Sequence, residues 1–324
     1  MALITGATIA LSACTSTTNG TASSSKTSGS GSSTTASSSN ATTSTPTPTK
    51  SAKPATVIKV SSLEDDGTTW GVGMPVVLYF SKAPTDSTAF TKAVTVTVNG
   101  QPAGGAWFWE KPYADQPIQA HYRLRSYWPA NSTVEVKLPI GGLSAGTGLV
   151  YSGALSSVTF HIGDAHVSTV NAGDLQMTVT DNGKMVRTFP VSLGKASTPT
   201  YNGTKVVMQK GEDLPGTNTR RPKGAVRMVG PGYDELVEWS VRMTASGEYV
   251  HYAPWNNRIG GTSTSNGCTN VGQADSVWFY NFSQVGDVVT YQGTDGKRMP
   301  SWDGFGDWNI PWILWAKGGL LINH

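Results

Sequence analysis

From Val94 to Val98 the chain reads Val-Thr-Val-Thr-Val, and Asn99-Gly100 follows at once. Strict alternation of apolar and polar side chains gives one dry face and one wet face only if the segment is extended, so it reads as a half-buried strand. Similar short runs, "TVIKV", "PVVLYF", "QAHYRL", "STVEVKL" and "SVTFHI", lie between Thr56 and Ile162, with Gly, Pro, Asn or Asp turns between them. Six or seven short strands at regular spacing predict a β-sandwich over residues 56–163. No cysteine falls within it, so only the sandwich architecture is expected. His121 and His161 lie inside these strands and read as structural or surface residues.

A second β pattern follows from residue 164. "LQMTVT-DNGK-MVRTFPVSLG" is a hairpin: apolar runs flank Asn182-Gly183, the dipeptide that suits a type I′ turn. "GEYVHY" is a further strand. After Cys268, "GQADSVWFYNF" carries an Asp near its start and apolar residues on one side, and it predicts a short helix from about 273 to 283. At roughly 100–200 residues per domain, a chain of 324 residues with 38% hydrophobic side chains accommodates two cores. The net charge of +3 does not suggest a nucleic-acid partner. No clustered set of His, Cys, Asp and Glu with metal-ligand spacing occurs.

The first fourteen residues, "MALITGATIALSAC", end an apolar run in Leu11-Ser12-Ala13-Cys14. This resembles a bacterial lipobox, whose cysteine is lipidated, and implies anchoring to the outer face of the cytoplasmic membrane with Cys14 as the acceptor. The usual positive charges are missing, because Lys26 is the first basic residue; an ordinary secretory signal, with release to the cell wall, is the alternative. Residues 15–55 are dominated by Ser and Thr up to "STPTPTK" and cannot bury enough apolar surface to fold. The 36 residues 15–50, as a flexible tether, reach on the order of 30–35 Å.

One of only two cysteines, Cys268, sits in "SNGCTN", and His251 lies seventeen positions upstream in "YVHYAPW". A thiol attacks as the thiolate, so it needs a base or a positive field near neutral pH. His251 is a candidate base, the start of the predicted helix a candidate field. Successive amides of Asn266, Gly267 and Cys268 are candidates to face an oxyanion. The other reading is a small buried residue with no chemistry, against which the polar neighbours of Cys268 argue.

"VHYAPWNNRIGGTSTSNGCTNV" resembles the signature of the L,D-transpeptidases: a His, a gap of some sixteen residues, then Ser/Thr-His-Gly-Cys-x-Asn/Arg. "VSLGKASTPTYNGTKVV" is similar to the family's Ser-x-Gly and Thr-Pro-x-x-Gly segment, and "GYDELVEWSVRMTASGEYVHYAPW" to the lid and strand before its base. The resemblance spans about residues 165–290, within a catalytic domain placed at 164–292. It implies a mainly β protein: an Ig-like β-sandwich spacer, then a β-rich L,D-transpeptidase catalytic domain with one short helix after the nucleophile. It also implies roles. Cys268 is the nucleophile and His251 the general base, oriented by the carbonyl of Tyr252. Gly267 lies in the oxyanion loop, Asn270 organises the site, and Tyr233 and Trp255 line the substrate cleft. Asn266 stands where the family has a His, and Asn cannot take up a proton at neutral pH.

The implied reaction is acyl transfer between peptidoglycan stem peptides, donor and acceptor, giving 3→3 cross-links through a Cys268 thioester, with no cofactor and no metal. β-Lactams of the carbapenem type are the implied covalent inhibitors, and the cell envelope the implied location. Hydrolysis of the same thioester would make an L,D-carboxypeptidase, and a catalytically weak wall-binding module is a further reading. A papain-like hydrolase fits poorly, because there the Cys precedes the His. Residues 293–324 form a Trp-rich extension, read as a clasp on the catalytic domain or as a glycan-stacking surface. "TRRPKG", residues 219–224, reads as a solvated basic loop, with contact to anionic wall polymer as the alternative.

Overall fold

The computed structural model describes residues 55–112, 118–214, 222–230 and 233–321, and Cys14 with the Ser/Thr-rich segment lies outside them. The first half is a sandwich. One sheet orders the strands Thr69–Trp70, Ser157–Ile162, Ser132–Lys137, Thr95–Val98 and Gln101–Pro102; the other orders Val60–Ser62, Val76–Phe80, Gln119–Arg123 and Ala106–Glu110. Alternation decides which side chains go inside: in Ser132–Lys137, Val134 and Val136 are fully buried while Thr133 and Glu135 are not. Trp107 and Trp109 likewise point inward and meet Phe90, whose ring lies edge-on to both at 5.2 and 5.1 Å. Phe90 belongs to a short helix, Thr88–Ala93, that the valine pattern does not announce; Val94 closes this helix and the strand begins at Thr95.

The second half packs two further sheets. One orders Lys184–Pro190, Gln176–Asp181, His166–Asn171, Val288–Gln292 and Gly203–Val206. The other orders Gln209–Lys210, Tyr233–Arg242, Tyr249–Tyr252 and Thr269–Val271, with Val226–Gly230 paired to Tyr233–Arg242 as a projecting hairpin. Val170, Val179, Phe189, Val241, Val250 and Val289 belong to the core between them. The turn at Asn182-Gly183 has φ of 48° and 80°, the double left-handed conformation of a type I′ turn. The helix predicted after Cys268 spans Gln273–Phe282. Among the described residues no helix is long and apolar enough to cross a membrane.

The described residues from 55 to 321 belong to one compact unit, in which Met74 and Val77 of the first half pack with Val206 of the second and hydrogen bonds tie further seams. Gly71 and Gly73 donate N–H bonds of 2.8 Å to the carbonyls of Val285 and Gly286. The C-terminal extension makes another seam. Trp308 and Trp315 donate from their indoles to the carbonyls of Gly73 and Ala106 at 2.7 and 2.9 Å, and the Arg123 guanidinium lies 4.7 and 4.4 Å over their rings. On the other side Asn309 brackets Thr204, accepting from its N–H and donating to its carbonyl at 2.8 Å each. Asp303 accepts from the N–H and hydroxyl of Ser246 at 2.6 Å each. The extension is therefore a clasp, and its tryptophans grip the sandwich rather than the second half alone. Lys223, in the basic loop, is exposed and pairs with Asp213; residues 219–221 lie outside the described segments.

Folding also gathers groups that sequence spacing keeps apart. His121 is buried between Asp307 and Glu110, with Nδ1 2.8 Å from Asp307 Oδ1 and 3.5 Å from Glu110 Oε1. Its Nε2 faces Gln119 Oε1 at 3.0 Å. With both ring nitrogens against acceptors, His121 is held as an imidazolium. Burial opposes that charge, but the Asp307 and Glu110 carboxylates outweigh it and raise the pKa to about 9. His166 similarly meets Asp287 at 3.1 Å. His161 is exposed, 3.2 Å from the Thr133 hydroxyl.

Candidate active site

His251 and Cys268 come together because their strands pair in parallel. Tyr249–Tyr252 and Thr269–Val271 run side by side with Val250 opposite Thr269 and His251 opposite Asn270. A parallel pair needs a crossover, and residues 253–268 supply it as a loop that ends at the thiol. Gly267 has φ of 122°, a conformation open to glycine and strained for any other residue.

The preceding "SLGKASTPT" segment holds this loop. Thr200 donates its hydroxyl to the Gly267 carbonyl and accepts from the Gly194 N–H, both at 2.8 Å. Lys195 N–H donates to the Ser265 carbonyl at 3.0 Å. Ser265 closes the turn from within, donating its hydroxyl to the Cys268 carbonyl at 2.5 Å and accepting from the Gly267 N–H at 3.1 Å. The Gly267 amide is thus turned inward, which leaves the Asn266 and Cys268 amides of the three considered above. Asn266 is exposed, and its side-chain oxygen accepts from Lys195 Nζ at 2.8 Å.

The imidazole is fully specified. Its Nδ1–H donates to the Tyr252 carbonyl at 2.8 Å, so Nε2 carries the lone pair. The Asn270 amide donates to Nε2 at 3.0 Å, while Asn270 Oδ1 accepts from Asn256 at 3.0 Å. Burial pushes His251 down to about 4, against the stabilising Tyr252 carbonyl, so the ring is neutral near pH 7. Burial also pushes the Cys268 thiol up to about 11. The thiol donates to the Gly247 carbonyl at 3.7 Å; its hydrogen bond does not go to the imidazole. The helix start offers it little, since a three-residue strand, about 10 Å of chain, separates Cys268 from Gly272. The resting site therefore holds a neutral thiol and a neutral imidazole, each engaged by another group.

Both open into one cleft of about 600 Å³. Tyr233 and Met228 of the projecting hairpin line it together with Trp255, Arg258 and Asn266. Trp255 is 55% exposed, with its ring 6.1 Å from that of His251. Every site residue expected from the sequence, outside Cys14 and with Gly267 and Tyr252 contributing backbone, is gathered here. The groups that spacing did not mark are Thr200, Ser265 and Asn256, and a buried pair, Lys205 and Glu248, beneath the loop. The Ser/Thr richness of "STPT" and "STSN" is the only trace of the first two.

Comparison with known proteins agrees with this architecture. A family model for the L,D-transpeptidase catalytic domain matches residues 165–290, and one for a bacterial Ig domain matches residues 14–144. The chain is 33% identical over 271 residues to L,D-transpeptidase 2 of Mycobacterium tuberculosis (strain CDC 1551 / Oshkosh), covering 83% of this chain but only 64% of that relative. It is 31% identical over 245 residues to the probable L,D-transpeptidase 3 of Mycobacterium tuberculosis (strain H37Rv), covering 72% of this chain and 85% of that protein. Among solved structures, L,D-transpeptidase 3 from Mycobacterium tuberculosis in complex with a faropenem-derived adduct aligns with a TM-score of 0.55 at 26% identity, over 72% of this chain and 97% of that one. With an Ig-like sandwich, a YkuD-type catalytic domain and a short helix after its cysteine, the chain belongs to the L,D-transpeptidase family.

Proposed function

We propose that the chain is a peptidoglycan L,D-transpeptidase that forms 3→3 cross-links through a thioester on Cys268, with His251 as its general base. The observation that carries this reading is the parallel register that sets His251 beside the residues following Cys268, at the floor of an open cleft. For reaction the sulfur turns from the Gly247 carbonyl toward Nε2, and the Asn270 amide gives up that lone pair. The thiol proton passes to Nε2 as sulfur attacks the carbonyl carbon after the third residue of a tetrapeptide stem. Negative charge collects on the carbonyl oxygen, where the Asn266 and Cys268 amides are the available donors. The amide C–N bond then breaks, the proton goes from Nε2 to the amine of the departing D-Ala, and a thioester remains. The side-chain amine of an acceptor stem attacks it, loses a proton to Nε2, and the sulfur leaves and is reprotonated.

Proton transfer coupled to attack suits the resting state, since a thiol near 11 and an imidazole near 4 do not exchange a proton unaided. Tyr233 and Trp255 line the donor path, and Asn266 replaces a second histidine with a neutral hydrogen-bonding group. The sandwich acts as a spacer and Cys14 as the lipid-bearing residue, which places the enzyme in the cell envelope. Water as acceptor would give an L,D-carboxypeptidase from the same thioester.

The test is intact mass after incubation with a carbapenem, whose strained amide mimics the donor, followed by muropeptide analysis with tetrapeptide stems. The expected result is one drug mass added to the wild type, none to Cys268→Ala, and 3→3 linked dimers. A folded wild-type protein with no adduct would favour a wall-binding module instead.

A further inference from the structure

The strongest unexplained feature is a buried ion pair under the nucleophile. Lys205, on the strand Gly203–Val206, is fully buried, and its Nζ bonds Glu248 Oε2. A lysine has no reason to be in a protein interior unless paired, and even then the pair gains little over apolar packing. This pair is anchored on every side. Lys205 Nζ lies 3.7 Å over the ring of Tyr291, whose hydroxyl is 2.8 Å from that of Thr269, the residue after the cysteine. Glu248 Oε1 accepts from the Tyr201 N–H at 2.7 Å. The carboxylate runs directly beneath Gly267: a Cβ built there would sit 3.8 Å from Glu248 Cγ and Oε1.

Glu248 also lies in the chain between the two residues whose backbone groups meet the sulfur. The Gly247 carbonyl accepts from Sγ–H, and the Tyr249 N–H donates to the sulfur. The pair therefore fixes the wall against which the thiol rests and adds two opposed charges behind it, the negative one belonging to the residue between the two touching groups. The imidazole is engaged instead by Tyr252 and Asn270.

Resting on the reading of Cys268 as nucleophile, we propose that Lys205 and Glu248 are positioning residues that set how readily Cys268 releases its proton. Glu248 holds the thiol in its protonated form against the Gly247 carbonyl, and Lys205 offsets that effect and limits it. The electrostatic directions agree: burial raises the thiol most, the Tyr249 N–H comes next and lowers it, and behind these Glu248 raises it and Lys205, by less, lowers it. A thiol kept protonated at rest is also slower to oxidise, which matters outside the reducing cytoplasm.

The experiment follows iodoacetamide alkylation of Cys268 against pH in the full chain, read by mass spectrometry of the peptide that carries it. Glu248→Gln removes the negative charge, leaves Lys205 and keeps the shape. The midpoint should fall by about one pH unit. The double variant Lys205→Met with Glu248→Gln removes both members of the pair and leaves no unpaired lysine in the interior, so it folds even if the single variant does not; the buried Asp303, which acts on both, is the same in every variant. Its midpoint should fall by a smaller step, about half a unit. Midpoints equal to wild type in the folded variants overturn the proposal. So does a double variant that falls further than the single one. Loosened packing alone would raise the rate by one factor at all pH values and leave the midpoint in place, and that outcome also overturns it. Alkylation requires no transpeptidation, so failure of this idea is separate from failure of the enzyme reading, which the carbapenem adduct decides.

Discussion

At the scale of single residues, the candidate site rests on hydrogen bonds that hold backbone rather than on the reacting groups themselves. Thr200 is the clearest case, because its one hydroxyl serves the Gly267 carbonyl and the Gly194 N–H together. Thr200→Val keeps the shape and strands both partners in a buried setting. It should cost about 1–3 kcal/mol of stability, measured by urea unfolding, and slow carbapenem acylation by about tenfold as the cysteine loop loses its register. Acylation at the wild-type rate would show that the loop keeps its shape without this residue. Cys268 and His251 were legible in the sequence, since a histidine, a fixed gap and a glycine-flanked cysteine form a pattern. Lys205 and Glu248 were not: Lys205 lies in a short strand and Glu248 just before one, and nothing along the chain says that residues 43 positions apart share a buried bond.

At the scale of elements, period-2 alternation was enough to find the strands but not everything between them. All six quoted runs of the first half are strands, and Asn182-Gly183 makes the turn its chemistry demands. The helix Thr88–Ala93 escaped because six residues are too few for a helical period to stand out. Ala106–Glu110 escaped because "AWFWE" is apolar on both faces: Trp107 and Trp109 enter the core while Phe108 stacks on Trp315 at 4.7 Å. The hairpin turn offers a clean test of conformation without packing. A Cβ at Gly183 meets nothing within 4 Å, yet φ there is 80°. Gly183→Ala should therefore cost about 1 kcal/mol, seen as a lower urea midpoint with an unchanged slope. No loss would mean that the turn relaxes to another type.

At the scale of the molecule, the seam between the halves holds a charge that depends on pH. His121, of the sandwich, is raised from its ordinary 6.5 to about 9 once folding brings Asp307 of the clasp against it. The folded state keeps a proton that the unfolded chain releases above pH 6.5, so this contribution is complete below 6.5 and disappears as pH rises through 9. The melting temperature should fall between pH 6.5 and 9, and His121→Gln should start lower and be flatter across that window. Parallel curves would remove His121 as the cause. Partners 186 positions apart explain why this cluster could not be foreseen.

The clasp also gives the chain an optical signal of its own. Of its eleven tryptophans, Trp315 is wholly buried against the sandwich and Trp308 lies under the Arg123 cation. Indole emission moves to longer wavelength when water reaches the ring, so parting of the two halves would be visible as a colour change without any added dye. Because the same segment also holds Thr204 and Ser246 of the catalytic domain, the red shift and the loss of far-ultraviolet dichroism should trace one curve during denaturation. Two separated curves would mean that sandwich and catalytic domain melt independently.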